Sequence, residues 1–201
     1  MLLGVLIFAV LLPTSTGEQS KEEKRGLEIY RGHSNCSNPR PSILYYYDRK
    51  LANCFPFLYK GCGGEKEVYY ATENKCLRYG KPADARFCVG NEKPVGHCGG
   101  KRKLTCPKGS YCLLGHWGFG NCCDEKKTEE WKEEFNPVCE RNKVLMIESV
   151  RDPNKKRPLV GRDCSHKFCP EGSECVKGKR LAYCCGVTNP PKGMYPVRRE
   201  V

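Results

Sequence analysis

The chain has 201 residues, among them 16 Cys, 21 Gly and 14 Pro, and a formal net charge of +12. A composition only 39% hydrophobic argues against one large core and for several small modules, each stapled by disulfides. No Gly-rich phosphate loop, paired-carboxylate motif or nucleophile elbow occurs, so the expectation is a protein that is not an enzyme and uses no cofactor and no metal.

Residues 2–12 are almost unbroken apolar sequence and run into small residues at Ser15 and Gly17. The run falls short of the about 20 residues that a bilayer span needs. It reads as a signal peptide, residues 1–17, which places the mature chain in oxidising extracellular surroundings where cysteines pair. No later apolar run suits a membrane span. Residues 18–26 form a charged, unstructured N-terminal segment with a dibasic processing candidate at Lys24 and Arg25. The stretch "SILYYYDRK" (42–50) predicts a strand, and "CFPFLYKGC" (54–62) a second with Phe55, Phe57 and Tyr59 on one face. "DRKLAN" between them is a turn. Thr72 caps a short helix that Gly80 and Pro82 end. Residues 27–80 are therefore a hairpin and a helix, cross-linked by Cys36, Cys54, Cys62 and Cys76.

An internal repeat follows. Module 81–123 carries Cys88, Cys98, Cys106, Cys112, Cys122 and Cys123; module 139–188 carries Cys139, Cys164, Cys169, Cys175, Cys184 and Cys185. Both contain C-P-x-G-S-x-C, both place Val-Gly before the second cysteine, and both end in a vicinal pair. Neighbouring cysteines rarely bond to each other, because the small ring forces the geometry off its minimum. Each pair thus staples two partners, giving six bonds in the two modules with the pairing open. The second copy carries an insertion, "ERNKVLMIESVRDPNKKRPLVGRD", expected to form a strand and a projecting basic loop. The charged linker 124–138 is expected to be transiently helical through i,i+4 pairs. The Pro-rich basic tail 189–201 is expected to be extended.

The stretch "YYYDRKLANCFPFLYKGCGGEKEVYYATENKC" resembles a Kunitz (pancreatic trypsin inhibitor-type) domain. Tyr45, Tyr46, Tyr47, Asp48, Cys54, Phe57, Tyr59, Gly61, Cys62, Tyr70 and Cys76 fall on that family's pattern. The later modules resemble the lustrin-type cysteine-rich repeat that accompanies Kunitz domains in some invertebrate secreted proteins. The implied fold class is a small disulfide-rich multi-domain protein: a Kunitz-like α+β module, with twisted β-hairpin and C-terminal helix, then two small cystine-rich modules of mostly β and irregular structure. The family has six cysteines, paired first with sixth, second with fourth and third with fifth. Here no cysteine lies near 27–29, and Gly80 stands where the sixth belongs. The resemblance then implies Cys36–Cys62 and Cys54–Cys76. Lys60 departs from a usual glycine, one extra residue precedes Cys76, and two extra residues separate Cys36 from Cys54.

The function implied is inhibition of a serine-type endopeptidase, at full or reduced strength, by a substrate-like loop of Cys36, Ser37, Asn38, Pro39 and Arg40. Counting from Cys36 makes Ser37 the pocket residue, small enough for an elastase-like enzyme. Counting back from Tyr45 moves the site to Pro39–Arg40 and offers Arg40 to a trypsin-like one, although Pro41, which follows it, fixes φ and removes a donor. Asn35-Cys36-Ser37 is an N-glycosylation sequon, and a glycan there would sit against the contact. One alternative is an extracellular matrix or glycosaminoglycan-binding module: residues 139–201 hold 14 Lys and Arg against 7 Asp and Glu, and residues 101–103, 155–157 and 177–180 are basic stretches suited to heparin-like polyanions rather than nucleic acid. A second alternative is a channel or receptor ligand on the same scaffold. The protein is expected to be a monomer. His33, His97, His116 and His166 are scattered among cysteines that have mates, so disulfides are favoured over zinc. Trp117 and Phe119 read as the small core beneath a disulfide knot rather than as an exposed contact.

Overall fold

A computed structural model describes residues 29–63, 69–82, 87–115, 117–152 and 154–196. The expected signal peptide, the charged segment 18–26 with Lys24 and Arg25, His116 and the end of the basic tail lie outside the described residues. The N-terminal module opens with β1 (Ser42–Asp48) and β2 (Asn53–Tyr59), antiparallel with Ser42 opposite Tyr59 and Asp48 opposite Asn53. The Asp48 carboxylate closes the turn by accepting from the N–H groups of Lys50 at 2.8 Å and Leu51 at 3.2 Å, the local role that suits Asp to turns. Helix α1 (Glu73–Tyr79) starts at Thr72, whose hydroxyl accepts from the Lys75 N–H. Cys54 is joined to Cys76, tethering α1 to the hairpin, and Cys36 is joined to Cys62.

Phe55, Phe57 and Tyr59 share a face with Tyr46, but β2 is buried almost continuously because both sides of the hairpin are covered. On one side Ile43, Tyr45 and Cys54 join Cys76 of α1 and Leu145, Phe168 and Tyr195 from the C-terminal part of the chain. On the other, Tyr46, Phe55, Phe57 and Tyr59 join Trp131, Val160 and Leu181.

The first cysteine-rich module is a three-stranded antiparallel sheet of β3 (Gly96–Gly99), β4 (Ser110–Leu114) and β5 (Phe119–Asp124), with β5 central. The segment after it is helix α2 (Glu125–Phe135), capped by Asp124. The second module contains β6 (Lys143–Val144), β7 (Met146–Glu148), β8 (Lys156–Pro158), β9 (Val160–Gly161), β10 (Glu174–Lys177) and β11 (Ala182–Gly186). Here β9 and β10 flank β11 as β3 and β4 flank β5. The disulfides repeat too: Cys88–Cys123, Cys98–Cys112 and Cys106–Cys122, then Cys139–Cys185, Cys164–Cys175 and Cys169–Cys184. The C-P-x-G-S motif makes the same turn twice. Gly109 and Gly172 take φ of +78° and +77°, which glycine adopts at no steric cost. Ser110 and Ser173 donate their hydroxyls to the carbonyls of Pro107 and Pro170.

Two expectations need correction. The linker is not a transient helix, because Trp131 is 2% exposed and anchors α2 in a core built from all three modules. The insertion does not simply project: β7 and β8 form a hairpin whose flanking Leu145, Leu159 and Val160 are buried against the N-terminal module.

Candidate functional site

Residues 33–42 form an exposed loop leading into β1. His33 and Cys62 exchange backbone hydrogen bonds of 2.8 and 3.0 Å, and the Lys60 N–H donates to the Arg31 carbonyl at 2.8 Å. These bonds fix the incoming leg, and Cys36–Cys62 pins it three residues beyond His33. The outgoing leg lies against Gly61, where a Cβ would strike the backbone of Pro39 and Arg40. That contact and a φ of +113° both demand glycine there. The chain bends at residues 36–38. Ser37 thus follows the disulfide, and Arg40 lies beside Gly61. Both side chains are exposed, as are Asn35, Asn38 and Pro39.

The far end of the hairpin is occupied. Arg162 Nε donates to Asp48 Oδ2 at 3.0 Å, and its Nη1 donates to the Arg180 carbonyl at 2.7 Å. Asn91 Nδ2 donates to the Arg49 carbonyl at 3.3 Å, and the His166 ring meets Tyr46 edge-on at 5.5 Å between centroids. Glu73 of α1 pairs with Arg157 of β8. Burial pushes the Glu73 carboxyl above its ordinary range, with Arg157 opposing the shift. The exposed loop 33–42 and the docked turn lie at opposite ends of β1, about 20 Å apart along the strand.

A family model described as the Kunitz/Bovine pancreatic trypsin inhibitor domain matches residues 27–81. A BPTI/Kunitz inhibitor domain-containing protein of Caenorhabditis elegans is 43% identical over 150 residues, 75% of this chain and 82% of that protein. The chain belongs to the Kunitz inhibitor-domain family. The major allergen Ani s 1 of Anisakis simplex is 31% identical over 153 residues, 73% of this chain and 77% of the allergen. Both alignments are too long for the Kunitz module alone, so the likeness extends beyond residues 27–81. A Kunitz-type serine protease inhibitor homolog, the beta-bungarotoxin B4 chain of Bungarus candidus, is 34% identical over 77 residues, 38% of this chain and 83% of that one. No solved structure matches.

Outside the Kunitz loop the other sequence candidates are dispersed. Arg157 is held by Glu73, and Arg180 by Glu130 at 2.8 Å and by the Trp131 ring, 5.0 Å below its guanidinium. Two of the three basic stretches therefore contribute cations to contacts between elements, while Lys101, Arg102 and Lys103 are all exposed. The sulfurs of Cys98, Cys106 and Cys122 lie within 4.8 Å of one another, but each is in a disulfide and has no thiolate to offer a metal. Trp117 and Phe119 are exposed, which corrects their expected place in the core. The small core beside the first knot is supplied instead by Trp131, which the reading by charge pairs missed. Its signal was Trp131 and Phe135 four residues apart behind the Asp124 cap.

Proposed function

We propose that the chain is a secreted inhibitor of serine-type endopeptidases that offers Cys36, Ser37, Asn38, Pro39 and Arg40 to the enzyme as a substrate-like loop. Accessibility supports this reading best. Residues 33–42 are all exposed, although the hairpin they lead into is buried on both faces. The other modules cover the turn and flanks and leave the loop free. A loop held in place by a disulfide, a backbone bridge and Gly61 loses little freedom on docking, and an interface of about 800 Å² per partner is sufficient for tight inhibition. The eight disulfides fit an extracellular protein, and among the described residues no helix is long and apolar enough to cross a membrane.

The test is inhibition of a panel of trypsin-like and elastase-like proteases by the mature chain, with the glycan state of Asn35 read by mass spectrometry. With Ser37 in the pocket, elastase-like enzymes are inhibited and Ser37→Lys redirects the protein to trypsin-like ones. With Arg40 in the pocket, trypsin-like enzymes are inhibited and Arg40→Ala weakens binding about 100-fold, as loss of a central anchor does. Absence of inhibition across the panel, with Asn35 free of glycan, rules the reading out.

A further inference from the structure

One end of the first cysteine-rich sheet joins two adjacent turns. The Gly99 N–H donates to the Leu104 carbonyl, the Gly100 N–H to the Gly118 carbonyl at 2.7 Å, and the Lys103 N–H to the Gly100 carbonyl. The turn bearing Lys101, Arg102 and Lys103 is thereby bonded directly to the turn bearing Trp117. The apolar side chains at this tip are not buried: Trp117 is 86% exposed, Phe119 63%, Leu114 57% and Leu104 51%. The register puts Leu114, opposite Gly120, on the other face of the sheet from Phe119, but several large apolar groups exposed at one sheet end exceed the scattered single ones that need no explanation.

The charge around them is one-sided. Between Glu92 and Asp124 the sequence has no acidic residue, and the turn at this tip carries three exposed cations, Lys101, Arg102 and Lys103, whereas Lys93 and Lys108 lie toward the Asp124 end of the sheet. The acidic start of α2 follows Asp124 at the other end of β5, about 17 Å from Phe119. An exposed indole and phenyl beside a cationic turn match the interface of an anionic bilayer, where aromatic rings settle at headgroup depth and each cation near the surface adds attraction. A sulfated glycan would use the cations and leave the apolar groups in water. We propose that this tip is a membrane-docking site for anionic phospholipid, holding the extracellular protein on a lipid surface with the Kunitz loop free.

The two tryptophans separate cleanly, because Trp131 is buried and Trp117 is not. The disulfide-intact mature chain is mixed with vesicles of phosphatidylcholine, alone or with phosphatidylserine, at low salt and at about 0.15 M. The expected result is a blue shift of emission, with protection from acrylamide, only on vesicles containing phosphatidylserine, weakening as salt rises. Partitioning should fall about tenfold or more in Trp117→Ser/Phe119→Ser and by a similar factor in Lys101→Glu/Lys103→Glu. Since these side chains are exposed, both variants should keep the parent melting midpoint. Absence of vesicle binding by the parent chain overturns the proposal, whatever the variants do. So does binding that survives the aromatic substitutions, and so does a pattern in which the charge reversals abolish retention on heparin while vesicles are never bound.

Discussion

Asp163 shows how one side chain couples the fold to pH. It caps the short 3-10 turn Cys164–His166, accepting from the Ser165 N–H at 2.9 Å. That hydrogen bond, aided by Lys177 and His166, holds its carboxyl below the usual aspartate range despite some burial. A value lowered in the folded state means that the stabilisation is complete above the unfolded value of about 3.9. It is lost as pH falls through the folded-state value. Asp163→Ala should therefore lower stability at neutral pH by about 1 kcal/mol, the usual worth of a cap. The gap to the parent chain in urea midpoint should close in acid, as pH falls through the lowered folded-state value. A gap that stays constant from neutral pH into acid would show that the side chain acts by packing, not by accepting that bond.

Helix α2 connects the modules rather than separating them. Trp131 donates its indole N–H to Glu92 at 3.2 Å and lies over Gly90, whose φ of +64° and lack of a Cβ leave room for the ring. Lys127 pairs with the same Glu92 at 2.9 Å. On the other side, Glu134 accepts from the N–H groups of Arg180 and Leu181. Trp131→Ala should cost about 3–5 kcal/mol, read as a lower melting midpoint with loss of near-ultraviolet tryptophan signal. An unchanged midpoint would mean that α2 lies loosely on its neighbours. The contrast with what was legible beforehand is instructive. The C-P-x-G-S turns and the Thr72 cap could be read because their chemistry is local: a glycine with positive φ, or a hydroxyl reaching three residues along. The burial of Trp131 depends on Glu92 and Arg180, some forty and fifty residues away, and charge pairing along the helix reports only its wet face. The contact loop is an intermediate case. Its residues could be named from the cysteines, but nothing local predicts that the backbone of Pro39 and Arg40 lies against Gly61.

At the scale of the molecule, the question is what keeps the Kunitz module folded with two disulfides. A domain of its size is marginal on burial alone, and only Cys36–Cys62 and Cys54–Cys76 cross-link it, where one disulfide in a small domain contributes about 2–5 kcal/mol. Position 80 does not readily take a third: a Cβ there would lie 2.7 Å from the Tyr47 Cβ and from the Cys76 carbonyl. The compensation is visible in the two cores, which cross the module boundary on both faces of the hairpin. It is visible also in Arg162, which meets an Asp48 carboxylate that is 4% exposed and would otherwise be a buried acceptor without its cation. Residues 27–81 expressed alone, with Cys36–Cys62 and Cys54–Cys76 formed, should then melt about 10–30 °C below the full chain and expose Tyr46 and Phe57 to a hydrophobic dye. Arg162→Ala in the full chain separates docking from simple chain length. It should lower stability by about 3 kcal/mol and raise binding of a hydrophobic dye. If the isolated segment instead melts with the full chain and Arg162→Ala is silent, the hairpin and helix are self-sufficient, and the later modules contribute nothing to the loop's rigidity.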